Sequence, residues 1–242
     1  MTIEHEKILR RDPDVGESLD QPVFPSPRDR FGERSETLYE KLFHAFCAHM
    51  ALDTPQATKD ITRSIKRMFR DYFAPPYTVL CGHEKGSEYM ADVLVTSFDP
   101  KNLIQPGSLA IVPESIGVHL AVESELGGKS ASSAYGVMKN VVEDYVKLLV
   151  LQAEFRVMIF TSLPYRHEQD HLRNRVDTLR QLYLRTPGAA SGVLLIHLQG
   201  AQVRSTQVQA STAPHHIRGF VISDDGTAVH ELPSPVGQQE SS

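Results

Sequence analysis

Three carboxylates that interrupt apolar runs are the residues in this sequence best suited to chemistry. Asp92 lies in the run YMADVLVTS, and Glu123 and Glu125 lie in the run HLAVESEL. Side chains alternate along a β-strand, so Glu123 and Glu125 are predicted to share one face, about 6.7 Å apart. Asp92 has apolar or β-branched neighbours on both sides, which indicates that it is more than a solvent-facing residue. A carboxylate among apolar side chains is costly unless it is paired or binds a metal.

A divalent cation would relieve the repulsion between these carboxylates. Oxygen-only ligands favour Mg²⁺, Mn²⁺ or Ca²⁺ over zinc. Mg²⁺ held by one or two carboxylates keeps several waters and also accepts phosphate oxygens, which is the arrangement that activates water against a phosphodiester. We therefore predict that Asp92 and Glu123 bind Mg²⁺ or Mn²⁺ and that Glu125 is a third catalytic residue. The alternative interpretation of Glu123 and Glu125 is a solvated acidic face on an edge strand.

The spacing of apolar residues predicts the elements that position these side chains. Helices are predicted at 35–50, from Thr54-Pro55 to before Pro75-Pro76, from the Ser-rich segment after the Gly127-Gly128 break to near 152, and at 166–184. Strands are predicted at 77–81, 89–97, 117–126, 155–163 and 192–198, with a hairpin over 218–232. Three consecutive strands followed by a helix and a strand predict an antiparallel meander with a crossover, hence a mixed α/β class. Within the third strand, Val118, Leu120 and Val122 are predicted on the face opposite the two glutamates.

Length and composition indicate one globular domain with flexible ends. We predict an N-terminal arm over 1–33, a single domain over 34–232 and a tail over 233–242. No apolar run approaches the roughly 18 residues of a membrane span, and two cysteines without metal-type spacing favour a reducing cytoplasm. The net charge of −5 is not that of a DNA-coating protein, although a nuclease cleft itself needs carboxylates.

Four segments within residues 77–163 resemble the PD-(D/E)XK nuclease superfamily, the family of restriction endonucleases. They are MADVLVTS, VHLAVESELGG, VVEDYVKLLV and FRVMIFTSLP. The resemblance implies an αβββαβ restriction-endonuclease-like core with a mixed central sheet flanked by helices. It also implies a Mg²⁺-dependent nuclease that acts on nucleic acid, most simply DNA, in restriction or defence. Asp92 matches the family's metal-binding aspartate, and Glu123 matches the first acidic residue of the (D/E)xK motif. Cutting both strands of a duplex needs two sites, which favours a homodimer.

Glu125 occupies the lysine position of that motif, and this is a departure from the family pattern. Some restriction enzymes carry Glu-x-Glu there, and in parts of the superfamily a displaced lysine takes over. Lys139 and Lys147 on the following helix are the candidates for this role. For Lys147, an ordinary pair with Glu143 is the alternative. The missing lysine also leaves open a catalytically inactive relative of the same fold, serving as a nucleic-acid-binding or scaffolding subunit.

The second predicted helix carries a basic stripe opposite its apolar face. Such a stripe is either a solvated helix face or, in a nuclease, a surface for phosphate contacts. Its members are Lys59, Arg63, Lys66, Arg67 and Arg70.

The segment HEQDH matches the HExxH pattern of zinc hydrolases, with His167, Glu168 and His171 as candidate residues. In zinc proteases of this kind a glycine turns the chain before the third ligand, but this sequence has Asn174. The apolar spacing that follows predicts an uninterrupted helix instead. A chance match is therefore favoured, and a zinc hydrolase is kept as the second alternative.

Overall fold

The computed structural model describes residues 33–73, 75–82, 90–100, 116–128, 133–189, 191–204 and 207–235. The predicted arm up to residue 32 and the predicted tail from residue 236 lie outside the described residues. Within the described ranges, no helix has the length and apolar character that crossing a bilayer requires.

In the part of the chain that the structure describes, four α-helices flank a mixed sheet of eight strands, which confirms the predicted α/β class. The helices are α1 (Glu33–Asp53), α2 (Thr58–Tyr72), α3 (Ala134–Val150) and α4 (His171–Leu184). The strands are β1 (Thr78–Leu80), β2 (Val93–Thr96), β3 (Val118–Glu125), β4 (Ala153–Ser162), β5 (Val193–Arg204), β6 (Gln207–Ala210), β7 (Ile217–Ile222) and β8 (Val229–Leu232). The sheet order is β1-β2-β3-β4-β5-β7-β8, with β6 paired to β5. Strands β1, β2 and β3 form the predicted antiparallel meander, and α3 crosses over so that β4 runs parallel to β3.

Two apolar layers cover the two faces of this sheet. Helices α1 and α2 pack on one face with Leu120 and Val122 of β3, and helices α3 and α4 pack on the other with Ala121. This alternation follows from the two-residue period of a strand. The predicted face is wrong at Val118, which packs against the α3–α4 layer. The cause is a bulge in the pairing of β2 with β3, where one step from Val95 to Thr96 spans two residues of β3.

The start of α2 also differs from the prediction. Thr54 does not cap α2; its backbone adopts a φ of 39°, and its N–H donates to the Met50 carbonyl at 3.0 Å. Thr54 therefore follows the end of α1, in the left-handed conformation that often closes a helix. Helix α2 begins at Thr58 with Ala57 in the N-cap position.

Two further differences affect the strands. Strand β2 is shorter than predicted, so Asp92 lies immediately before it rather than within it. Strand β5 is longer than predicted, and its pairing with β6 forms a hairpin that the sequence analysis missed.

Candidate active site

The antiparallel pairing of β2 with β3 brings Asp92 beside the end of β3. Val93 pairs with Val122, so the residue before Val93 lies next to Glu123. Asp92 and Glu123 both line a polar pocket of about 420 Å³, together with Met90, Ala91, Ser124, Asp144 and Lys147.

The Asp92 carboxylate is held from the α2 side of the sheet by two residues. Its Oδ2 accepts hydrogen bonds from the backbone N–H of Ser124 at 2.9 Å and from the Ser124 hydroxyl at 2.6 Å. Its Oδ1 lies 3.0 Å from the Lys66 ammonium. The Lys66 side chain is only 4% exposed, so Lys66 does not belong to the exposed stripe in which the sequence analysis placed it.

Glu123 projects from the opposite face of β3, toward α3. It is 4% exposed, and its Oε1 lies 3.1 Å from the Lys147 ammonium. This contact is an ion pair, and among the described residues Oε1 accepts no hydrogen bond of good geometry. Burial raises the pKa of Glu123 to about 7. The contact with Lys147 acts in the opposite direction but does not offset burial, and the charges of Asp92 and Asp144 add to the rise. Glu123 is thus a buried carboxylate whose Oε1 is paired with one ammonium and accepts no well-directed hydrogen bond from the described residues.

Lys147 is the lysine that reaches this carboxylate. It is about half exposed, and its ammonium lies 2.7 Å from Asp144 Oδ1 as well as near Glu123. Burial alone would lower the pKa of Lys147, but the contacts with Asp144 and Glu123 outweigh it and raise that pKa. Glu143, the alternative partner considered for Lys147, pairs instead with Lys139 at 3.5 Å, and both side chains of that pair are exposed.

Glu125 lies on the same face of β3 as Glu123, but its carboxylate turns toward the backbone two residues further along the chain. Its Oε1 accepts the backbone N–H of Gly127 at 2.9 Å. Burial raises its pKa. Glu125 is not among the residues that line the pocket.

The donor set of this pocket fits one hard cation with few protein ligands. Across the described ranges, no group of three or more His, Cys, Asp or Glu side chains is arranged to hold a metal ion. The pocket therefore offers Asp92 and Glu123 as carboxylates, rather than a three-carboxylate cage. Mg²⁺ is commonly held by only one or two carboxylates plus water and substrate phosphate. Oε1 of Glu123, which accepts no well-directed hydrogen bond from the described residues, is suited to such an ion.

The HExxH residues form a different arrangement from the one that the pattern requires. Glu168 accepts hydrogen bonds from Arg175 at 2.6 and 3.0 Å and from Asn174 at 2.9 Å. These contacts, Arg175 first, lower the pKa of Glu168 to about 2. Helix α4 begins only at His171, and His167 lies in the preceding turn with a φ of 65°. The two histidines are therefore not on successive turns of one helix, and Glu168 anchors Arg175.

The exposed members of the basic stripe lie on the helix that supplies Lys66. Arg63 pairs with Asp60 at 2.6 Å, and Arg67 forms an ion pair with Asp53. Arg70 donates to Cys81 Sγ at 3.3 Å. Helix α2 thus presents arginines to solvent along the side from which Lys66 reaches Asp92.

The sequence analysis missed two polar residues that line the pocket, Ser124 and Asp144, and it missed the contact of Lys66 with Asp92. For Asp144 a signal existed, because Asp144 and Lys147 are three residues apart on one helix and so lie on one side of it. For Ser124 the signal was its position between Glu123 and Glu125, on the strand that was predicted to lie next to Asp92. Lys66 gave no such signal.

Comparison of the chain with models of known protein families and with curated proteins finds no match. What the described residues define is an α/β protein with a polar pocket at one end of its sheet. In that pocket, two carboxylates each contact a lysine from a different helix layer.

Proposed function

We propose that this chain is a Mg²⁺-dependent nuclease of the PD-(D/E)XK type that hydrolyses phosphodiester bonds, with DNA as the substrate. The observation that carries the proposal is Glu123, a buried carboxylate in the same pocket as Asp92, whose Oε1 lies beside the Lys147 ammonium and accepts no well-directed hydrogen bond from the described residues. Carboxylates whose pKa is shifted by burial and by neighbouring charges, and which lie in a cleft, are characteristic of functional sites. The succession of α2, three antiparallel strands, α3 and β4 is the order that the resemblance implied.

Asp92 and Glu123 would hold the cation in this proposal. When bound, Mg²⁺ supplies a Lewis acid and a water of lowered pKa for attack on phosphorus. Asp92 is kept in place by the two hydrogen bonds from Ser124. Glu123 must be ionised to act as a ligand, which couples ion binding to the loss of its proton.

Lys147 takes the role that Glu125 leaves unfilled. Its ammonium stands at the pocket beside Glu123, and half of its side chain is open to solvent. An ammonium in that position can stabilise negative charge that develops on the phosphate oxygens. In this proposal Glu125 does not contact the phosphate, because its carboxylate accepts a hydrogen bond from the backbone N–H of Gly127.

The placement of Lys147 also favours an active enzyme over an inactive relative. The alternative of a nucleic-acid-binding or scaffolding subunit was motivated by the absence of a lysine from the third strand. Lys147 supplies an ammonium at 3.1 Å from Glu123, which supports catalysis without a lysine on the third strand. A homodimer and a role in restriction or defence rest on the resemblance alone.

Cleavage of supercoiled plasmid DNA with Mg²⁺ or Mn²⁺ tests the proposal. Glu123→Gln, Asp92→Ala and Lys147→Met are each expected to lower the rate on the order of 100-fold or more, the scale of losing a charge-stabilising group at a reaction centre. Lys139→Met, an exposed lysine on the same helix as Lys147, is the matched control and should cleave normally. Unchanged cleavage by Glu123→Gln or Asp92→Ala would overturn the proposal, and parallel reactions on single-stranded RNA test the choice of DNA.

A further inference from the structure

The hydrogen bonding of Asp92 limits how many cations it can hold. A carboxylate offers about four lone-pair sites on its two oxygens. On Oδ2, the backbone N–H and the hydroxyl of Ser124 fill two of them. On Oδ1, the Lys66 ammonium at 3.0 Å takes a third. Counting the contacts of the described residues, one site remains, on Oδ1, so Asp92 can bind a single ion through one oxygen but has no further site with which to bridge two ions.

The charges around the pocket lead to the same limit. The carboxylates that line the pocket, Asp92, Glu123 and Asp144, bring three negative charges, and the lysines that contact them, Lys66 and Lys147, return two positive ones. One divalent ion changes the net charge from −1 to +1, whereas two ions would leave +3 before any phosphate binds. In two-metal sites the ions lie about 3.5–4 Å apart, and a carboxylate commonly bridges them. Lys66 occupies the side of Asp92 that such a second ion would need.

We propose that this pocket binds one divalent cation per chain and that the Lys66 ammonium, beside Asp92, prevents a second divalent cation from binding there. Lys66 is then a positioning residue: it contacts Asp92, not the substrate, and it is buried within the α1–α2 layer of the fold. This inference rests on the proposed function, because it concerns the ion that the nuclease would use. A second observation supports a ligand site in this pocket: within the described ranges, the buried Oε1 of Glu123 accepts no well-directed hydrogen bond, although the Lys147 ammonium lies 3.1 Å away.

Counting bound Mn²⁺ on the full chain tests this inference without measuring cleavage. Calorimetric titration and electron paramagnetic resonance at saturating Mn²⁺ are expected to give one ion per chain for the wild type, with no Mn–Mn coupling. Lys66→Met is expected to bind two ions, because it frees a lone pair of Asp92 and removes one positive charge. Lys66→Gln, which keeps a polar side chain, is the second variant in case Lys66→Met does not fold. Lys139→Met is the control and should retain one ion.

The outcomes separate this inference from the proposed function. Two coupled ions in the wild type would overturn the inference and leave the nuclease proposal standing. One ion in folded Lys66→Met and Lys66→Gln would show that Lys66 does not exclude a second ion. No Mn²⁺ binding by the wild type at millimolar concentration would overturn the proposed metal site itself, and this inference with it.

Discussion

Replacing Glu123 with glutamine is expected to make the metal-free protein more stable at alkaline pH, whereas the proposed function predicts a cleavage rate lower on the order of 100-fold or more. Burial raises the pKa of Glu123 from 4.5 to about 7. The folded state therefore holds this proton more tightly than the unfolded state, and ionising Glu123 costs folding free energy. The cost is absent below pH 4.5, grows as the pH rises toward 7, and is fully present above it. At 1.36 kcal/mol for each pKa unit, it amounts to about 3 kcal/mol at pH 8.

Urea denaturation in EDTA at pH 8 and pH 4.5 measures this effect. At pH 8, Glu123→Gln should raise the free energy of unfolding by about 2–3 kcal/mol, since glutamine keeps the side-chain volume and carries no charge. At pH 4.5 the gain should nearly disappear. Glu143→Gln, which alters an exposed carboxylate of the Lys139 pair, should show no such dependence on pH.

Mn²⁺ provides the second half of the same experiment. A bound ion stabilises the folded state by mass action, so adding Mn²⁺ at pH 8 should stabilise the wild type and leave Glu123→Gln nearly unchanged. A Glu123→Gln variant that is less stable than the wild type at pH 8 in EDTA would refute the reasoning, because the buried charge would then not be a cost.

Further predictions concern the residues around the pocket and the two other motifs. Asp92→Asn should lower the free energy of unfolding by about 3–5 kcal/mol, because it leaves Lys66 buried opposite a neutral group; the double variant with Lys66→Met should recover most of the loss in urea denaturation. Glu168→Ala should destabilise the protein by about 3 kcal/mol, because it leaves Arg175 buried without its carboxylate, and elemental analysis of the wild type should find no stoichiometric zinc. Because its folded pKa is about 2, the stabilising effect of Glu168 should fade as the pH falls from 4.5 toward 2. Arg70→Ala should weaken DNA binding and reduce the slope of log K against log salt by about 1.

The fold could be predicted from the sequence where local pattern and chain order agree. Apolar alternation identified the meander, and the short connections between its strands leave few other topologies. The adjacency of Asp92 and Glu123 followed from that meander, because antiparallel pairing places the start of one strand beside the end of the next. The face on which Val118 lies could not be predicted, because a bulge depends on the pairing partner, Thr96, and not on the strand's own sequence.

The contacts of the site were harder to predict because charged side chains were assigned to solvent. Lys66 follows Ile65 in a strongly amphipathic helix, and helical spacing places it at the border between the two faces. Whether such a lysine points outward or inward depends on a carboxylate from a distant part of the chain, Asp92, and no local pattern contains that information. Thr54 shows the same limitation, because a threonine before a proline is typical of a helix start, yet here Thr54 follows the end of the preceding helix.

The two lysines explain how the chain can fold around an acidic pocket before any ion arrives. Asp92 and Glu123 would repel each other in a cleft of low dielectric, but each has an ammonium within about 3 Å, supplied from opposite faces of the sheet. Structural zinc sites differ, because there the metal itself supplies the folding free energy and its removal unfolds the domain. In this protein the lysines provide the compensating charge, so chelation should leave the fold intact, and a cation would enter and leave a site that is already formed. Such a site suits Mg²⁺, which binds protein carboxylates weakly and is completed by the phosphate of the substrate.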